Sequence, residues 1–174
     1  WDEKKISFKE GILDFNINLV NNIRKLSKEA QFIYFSGIGT DKDSNSKRSE
    51  AILNSEKYIQ ENLRNSIIIR PGVIIGGGDQ FLSGLIPLFK ISFFIPLFGN
   101  GLSKFQPVFI NDVSRALNQI IESNLLNNHL YEFVGLDQFT YREFYNYLAK
   151  CAKKTRVFVP IPLFIVRIVV GILD

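Results

Sequence analysis

The sequence predicts an α/β fold: helices and strands alternate as crossover units about a parallel sheet, and a smaller mixed portion follows. Three observations carry this reading. Apolar residues recur at spacings of three and four over residues 11–30. The run "SIIIR" from Ser66 is apolar and β-branched without alternation, the mark of a strand buried on both faces. Helix and strand patterns then alternate through the first half of the chain, as crossover units require.

In "GILDFNINLVNNIRKLSKEA" (11–30), Ile12, Phe15, Leu19, Ile23 and Leu26 form one apolar stripe, so an amphipathic helix is expected. "QFIYFSG" (31–37) reads as a strand stopped by glycine, and the polar loop "TDKDSNS" leads to a second helix over about 46–63. "SIIIRPGVIIG" is the buried strand. Residues 81–98 are apolar but interrupted by Pro87, Lys90 and Pro96, which predicts a short helix and loop covering a core. "KFQPVFI" is a possible strand, and "NDVSRALNQII" a helix capped by Asn111 or Asp112, with Val113, Leu117, Ile120 and Ile121 on its buried face. "LYEFVG" is a short strand. "TYREFYNYLAKCAK" is a helix opened by the Thr140/Glu143 capping box, and "RVFVPIP" a last strand before a hydrophobic helix.

With 174 residues, 46% of them hydrophobic, the chain can bury the core of one domain or of part of one. It contains no methionine and begins at Trp1, so a fragment or processed piece is expected. The formal charge of +4 is dispersed, and its clusters (Lys4 and Lys5; Lys47 and Arg48; Lys150, Lys153, Lys154 and Arg156) read as solvated surface, not a nucleic-acid stripe. Cys151 is alone, which excludes an intrachain disulfide and fits a reducing compartment. Neither 81–98 nor 157–173 reads as a transmembrane span, given their prolines and charges, but the second is suited to lie on a membrane surface or against a hydrophobic partner.

The run "GGGDQF" (76–81) raises the question of phosphate binding. A dinucleotide fingerprint needs G-x-G-x-x-G at a strand-to-helix turn, with backbone N–H groups facing the pyrophosphate. The spacing here differs, and the run follows two earlier helix and strand units. Three successive glycines serve equally as a turn by which the chain leaves the sheet.

"IIIRPGVIIGGGDQF" resembles the R-P-x-x-(V/I)-(Y/F)-G-x-x-D segment of the NAD-dependent epimerase/dehydratase superfamily, the extended and atypical short-chain dehydrogenase/reductases. "FIYFSGIGTDKDSN" resembles the family's serine strand, with "SG" in place of a double serine. "FQPVFINDVSRAL" and "YEFVGLDQFTYREF" resemble its later segments in order and spacing. Together these span about residues 12–165. The resemblance implies the C-terminal part of a Rossmann-like doubly wound sheet. Residues 1–110 would be the second half of the dinucleotide-binding domain, and 111–174 a smaller α/β region, interleaved with it, ending in an apolar helix. The implied cofactor is NAD or NADP, with its phosphate loop upstream of this chain. Ser36 would lie near the cofactor, and backbone groups of Pro71, Gly72 and Val73 beside the nicotinamide.

Catalytic members of this family carry Y-x-x-x-K on the helix after the serine strand, the lysine lowering the tyrosine's pKa so that the phenol can pass a proton. They also place a glutamate four residues after the lysine, a position that Glu56 fits. Counting back puts Ile52 at the lysine position and Arg48 at the tyrosine position. Isoleucine carries no charge, and arginine is effectively never deprotonated.

Ser36 can end a strand in a turn or face a cofactor; both readings stand. Arg70, at the end of a buried strand, suits pairing with a carboxylate or with terminal carbonyls more than with a substrate. His129, the only histidine, reads as a surface residue in a polar loop. One cysteine and one histidine cannot furnish an ordinary structural zinc site without carboxylates, so no metal is expected.

Within the superfamily, "PLFGNGLSKFQPVFINDV" and "VPIPLFIVRIV" most resemble nucleotide-binding accessory subunits of respiratory NADH:ubiquinone oxidoreductase. That implies subunits of a membrane-bound respiratory complex as partners. It also implies a location on the cytoplasmic face of a bacterial inner membrane or on the mitochondrial matrix side. The other function the fold allows is an active NAD(P)-dependent sugar-nucleotide epimerase, dehydratase or reductase.

Overall fold

A computed structural model describes residues 6–27, 30–40, 46–123 and 129–162. They form two compact units, Trp1–Gly72 with Arg115–Phe133, and Val73–Ser114 with Val134–Asp174.

The first unit is a parallel sheet of three strands covered on both faces. Its strands are β1 (Phe32–Phe35), β2 (Ser66–Pro71) and, from much later in the chain, β7 (His129–Phe133), in the order β1-β2-β7. Ile33 lies beside Ile67, and Ile67 beside His129. Because side chains alternate across a strand, the isoleucine run divides between two cores. Ile68 joins Val20, Ile59 and Leu63 beneath α1 (Phe15–Leu26) and α2 (Lys47–Asn62). Ile67 and Ile69 pack with Ile120 of α4 (Ile110–Glu122) on the other face. All three isoleucines are fully buried, which explains why the run lacks polar alternation.

Helix α1 is preceded by a π-helical stretch, Lys9–Asp14, and ends at Leu26. Ser46 caps α2 by accepting the Ser49 N–H. Helix α4 begins at Ile110, so Asn111 and Asp112 stand inside its first turn instead of capping it, where the Asp112 carboxylate suits the helix dipole. His129 opens β7 half-buried, with its ring 5.8 Å from that of Tyr131, and so lies in the sheet and not in a loop.

The second unit is assembled from short pairs. Strand β3 (Ile74–Ile75) runs parallel to β6 (Val108–Phe109), and β5 (Lys104–Phe105) antiparallel to β8 (Phe139–Thr140). The expected single strand "KFQPVFI" is thus two strands parted at Gln106 and Pro107, because proline has no N–H to donate to a ladder. Residues 80–98 also differ from the expected helix and loop. Helix α3 (Gln80–Ile91) continues through Pro87, and β4 (Phe94–Phe98) then pairs in parallel with β9 (Val157–Ile161).

The core of this unit holds Phe89, Ile95, Leu97, Phe144, Tyr145 and Ala149. Helix α5 (Tyr141–Cys151) carries the expected capping box: Thr140 accepts the Glu143 N–H, and the Glu143 carboxylate accepts the Thr140 N–H. The expected terminal hydrophobic helix lies outside the described residues, as does most of the 157–173 stretch.

Candidate functional site

Strand β1 ends at Phe35, and Ser36 extends its line by one more ladder bond, donating its N–H to the Ile69 carbonyl at 2.8 Å. The Ser36 hydroxyl donates to Oε1 of Glu56 on α2. Arg70, near the end of β2, grips the same carboxylate with two nitrogens, Nε at 3.0 Å from Oε1 and an Nη on Oε2. Three groups far apart in sequence therefore meet at one carboxylate. Glu56 is almost fully buried and Arg70 mostly so. Such a pair is tolerated only when the lone pairs and N–H groups find partners, as they do here. Glu56 is thus the partner that Arg70 was expected to have.

Ile52, one turn before Glu56, is buried on the inner face of α2 with only 8% of its surface exposed, and Arg48 is exposed near the start of the helix. The structure thus sets an alkyl group and a solvent-facing guanidinium on α2 at the two positions that the family resemblance aligned with lysine and tyrosine. The phenol beside the serine strand's end is no substitute. Tyr34 sits on β1 and packs against the core under α1 and α2, and its hydroxyl accepts from Asn16 Nδ2 at 3.3 Å. Burial pushes its pKa up, with the Glu56 charge adding to the rise. A proton-relay tyrosine needs the opposite shift.

The R-P-G turn is legible as backbone accounting. Pro71 has no N–H, and its carbonyl accepts from Ile38 N–H at 3.1 Å. The Gly72 N–H donates to the Phe133 carbonyl at 2.8 Å, and the Val73 carbonyl accepts from Val108 N–H at 2.9 Å. One peptide remains: among the described residues, the Gly72 carbonyl and the Val73 N–H have no hydrogen-bond partner.

The glycine run has a different occupant from the one a phosphate loop would hold. Asp79 caps α3, accepting Leu82 N–H at 2.7 Å on one oxygen and Gly76 N–H at 3.0 Å on the other. These bonds, Leu82's first, hold the Asp79 carboxyl below the usual carboxylate range. Gly76 and Gly78 take φ of +158° and +85°, and a Cβ on Gly76 would lie 2.3 Å from the Ile110 side chain. The glycines therefore serve a tight turn and a close approach, and the helix N-terminus is satisfied from within the chain. Sequence reading did not single out Asp79 as the group answering that loop, although Asp directly before a helix is an N-cap signal.

No protein-family model matches the chain. It is 30% identical over 132 residues to the mitochondrial NADH dehydrogenase [ubiquinone] 1 alpha subcomplex subunit 9 of Dictyostelium discoideum, covering 75% of this chain and 37% of that protein. Against the subunit of the same name from Mus musculus, identity is 28% over 171 residues, 95% of this chain and 44% of the relative. The chain thus spans less than half the length of these curated relatives.

Among solved structures, a human epimerase family protein crystallised with NADPH superposes with a TM-score of 0.74 at 20% identity, over 96% of this chain and 61% of that one. A dTDP-glucose 4,6-dehydratase from Bacillus anthracis in complex with NAD gives 0.73 at 17%, over 91% and 57%. At these identities the structures establish the fold alone. In sequence the chain is thus similar to part of NADH dehydrogenase alpha subcomplex subunit 9, and in fold to these NADPH- and NAD-bound epimerase and dehydratase structures.

Proposed function

We propose that this chain is part of a non-catalytic NAD(P)-binding accessory subunit of a respiratory complex of the NADH dehydrogenase type. The observation that carries the reading is Ile52, buried at the position where an ammonium group is needed, with Arg48 one turn earlier in place of a phenol. Loss of both proton-handling groups removes turnover while leaving the scaffold intact. The relatives' names support the assembly: they are subunits of a mitochondrial NADH dehydrogenase.

The dinucleotide part rests on the turn after β2. A nicotinamide carboxamide both donates and accepts, and the Gly72–Val73 peptide offers one unmatched acceptor and one unmatched donor. Pro71 would stiffen that turn, and Ser36 would stand at the neighbouring strand end. The ligand supplies no reaction here; it is held as a structural element. No helix among the described residues is long and apolar enough to cross a membrane. The subunit's place in the complex is peripheral, on the matrix side in mitochondria or the cytoplasmic face of a bacterial inner membrane.

Native mass spectrometry of the full-length protein tests the binding: a mass increment equal to NAD or NADP is expected, with no consumption of NADPH on adding sugar nucleotides or ketones. Copurification with respiratory-chain subunits tests the assembly, and a protein found alone after mild detergent extraction refutes it. The second reading, an active NAD(P)-dependent epimerase, dehydratase or reductase, is favoured by the retained Ser36 and by the enzymes that share the fold. Sustained NADPH oxidation with a sugar-nucleotide substrate would establish it.

A further inference from the structure

The parallel pair β4/β9 has one face turned to the core through Ile95, Leu97 and Phe158, and around its N-terminal end an apolar surface meets solvent. Ile91 is 87% exposed, Phe94 60%, Phe93 52% and Val157 40%. The two phenylalanine rings hold each other edge to face at 5.1 Å, and Phe93 is tied to the second strand by its carbonyl, which accepts the Val157 N–H. Lone exposed apolar residues are ordinary; four gathered around one strand end, two of them aromatic and in ring contact, are not.

The charges around the cluster are of one sign. Lys154 reaches back to donate to the Lys90 carbonyl at 2.8 Å, and Arg156 donates to the Phe89 carbonyl at 2.9 Å, so both cations are fixed at the C-terminal end of α3. Lys90 itself and Lys153 are exposed beside them. Lys90 lies in the last turn of α3, and Lys150, Lys153, Lys154 and Arg156 in the last turn of α5 and the connection to β9, whereas the carboxylates of these two helices, Asp79 and Glu143, stand at their opposite, N-terminal ends. Among the described residues no carboxylate forms an ion pair with Lys90, Lys153, Lys154 or Arg156.

We propose that the Ile91/Phe93/Phe94/Val157 cluster and its rim of Lys90, Lys153, Lys154 and Arg156 form a docking surface for an anionic phospholipid bilayer. Aromatic and aliphatic side chains enter the headgroup boundary while lysine and arginine meet lipid phosphates. A second copy of the same surface is disfavoured, because four cations would face four. The inference rests on the peripheral-membrane part of the function proposed above and adds a surface to it; it does not depend on the dinucleotide.

The test is cosedimentation of the full chain with sucrose-loaded vesicles of phosphatidylcholine alone or with 30 mol % phosphatidylglycerol. Binding to the anionic vesicles is expected, weakening as salt is raised. Lys90→Gln with Lys153→Gln should lower partitioning roughly 25-fold, since each surface lysine contributes a factor of about five. Phe93→Ser should lower it on both vesicle types, and Ile91→Ser, at a site so exposed that folding is unaffected, provides the control for a destabilised Phe93 variant. Equal binding to neutral and anionic vesicles, no binding, or variants that bind like the parent would overturn the proposal. So would a dimer, seen by sedimentation velocity, that Ile91→Ser dissolves. Failure on protein-free vesicles with copurification intact sinks only this surface, whereas vesicle binding without copurification sinks the accessory-subunit reading.

Discussion

Replacing Glu56 by alanine is the most informative perturbation of the first unit. The Glu56 side chain is 4% exposed and that of Arg70 16%, so neither charge is hydrated enough to stand alone. Alanine removes the acceptor of two guanidinium bonds and of the Ser36 hydroxyl, and strips a mostly buried arginine of its carboxylate. Breaking a buried pair from one side costs about 3–5 kcal/mol. For a chain of this size, where each kcal/mol moves the midpoint by about 2–4 °C, that is a fall of roughly 6–20 °C. Replacing both members with apolar residues, Glu56→Leu with Arg70→Met, removes the charges together and should return stability to within about 1 kcal/mol of the parent. Urea and thermal unfolding followed by circular dichroism give the three values. A Glu56→Ala loss below about 1 kcal/mol would mean that the pair behaves as a solvated surface bridge, and would refute the burial argument.

Four further outcomes are expected. Gly135→Ala should cost more than about 3 kcal/mol or abolish soluble expression, because the added Cβ would sit 2.0 Å from the Pro107 carbonyl oxygen and neither backbone can yield easily. Lys153 has φ of 52°, the left-handed conformation that ends α5, so Lys153→Gly should stabilise by up to about 1 kcal/mol in urea titrations. Burial raises the Tyr34 pKa, so the unfolded chain ionises first; stability should fall once pH exceeds about 10, and Tyr34→Phe should flatten that limb of the profile. Asp79 behaves oppositely: its lowered pKa contributes stability that is present above the ordinary carboxylate range and lost as pH falls through the folded value. Asp79→Asn should therefore be less sensitive to acid between about pH 5 and 2.

Local rules made much of this fold readable. The existence of α1 and α2 and the Thr140/Glu143 box are decided within a few residues, and the burial of Ile67, Ile68 and Ile69 follows from an apolar run with no alternation. The buried sides of two helices were misjudged: α1 buries Asn16 and Val20 while Phe15 and Leu26 of the expected stripe are exposed, and Ile121 of α4 is exposed too, because the packing partners and not the local pattern choose the face. Strand β4 was hidden for the complementary reason. "FIPLF" contains a proline and acquires strand geometry only from β9, some 60 residues later, and no local pattern encodes that pairing. The split at Pro107 and the two-residue β8 are likewise products of tertiary pairing. At the candidate site the place of Glu56, Ile52 and Arg48 on one helix was legible by counting. That Arg70 and Ser36 converge on Glu56 was not, because three segments must first be brought together by the sheet. Asp79 was visible as a residue, but its hold on the Gly76 amide depends on the turn that the glycines make.

That hold carries a consequence for any attempt to turn the loop into a nucleotide site. A guest anion would compete with a carboxylate on a three-residue tether, whose effective concentration is millimolar or higher and whose seat is already shaped to it. Free phosphate at cellular levels starts from behind in that contest. Adding glycines would not change the odds, whereas evicting the resident group would also unravel the first turn of the helix that the visitor was meant to use.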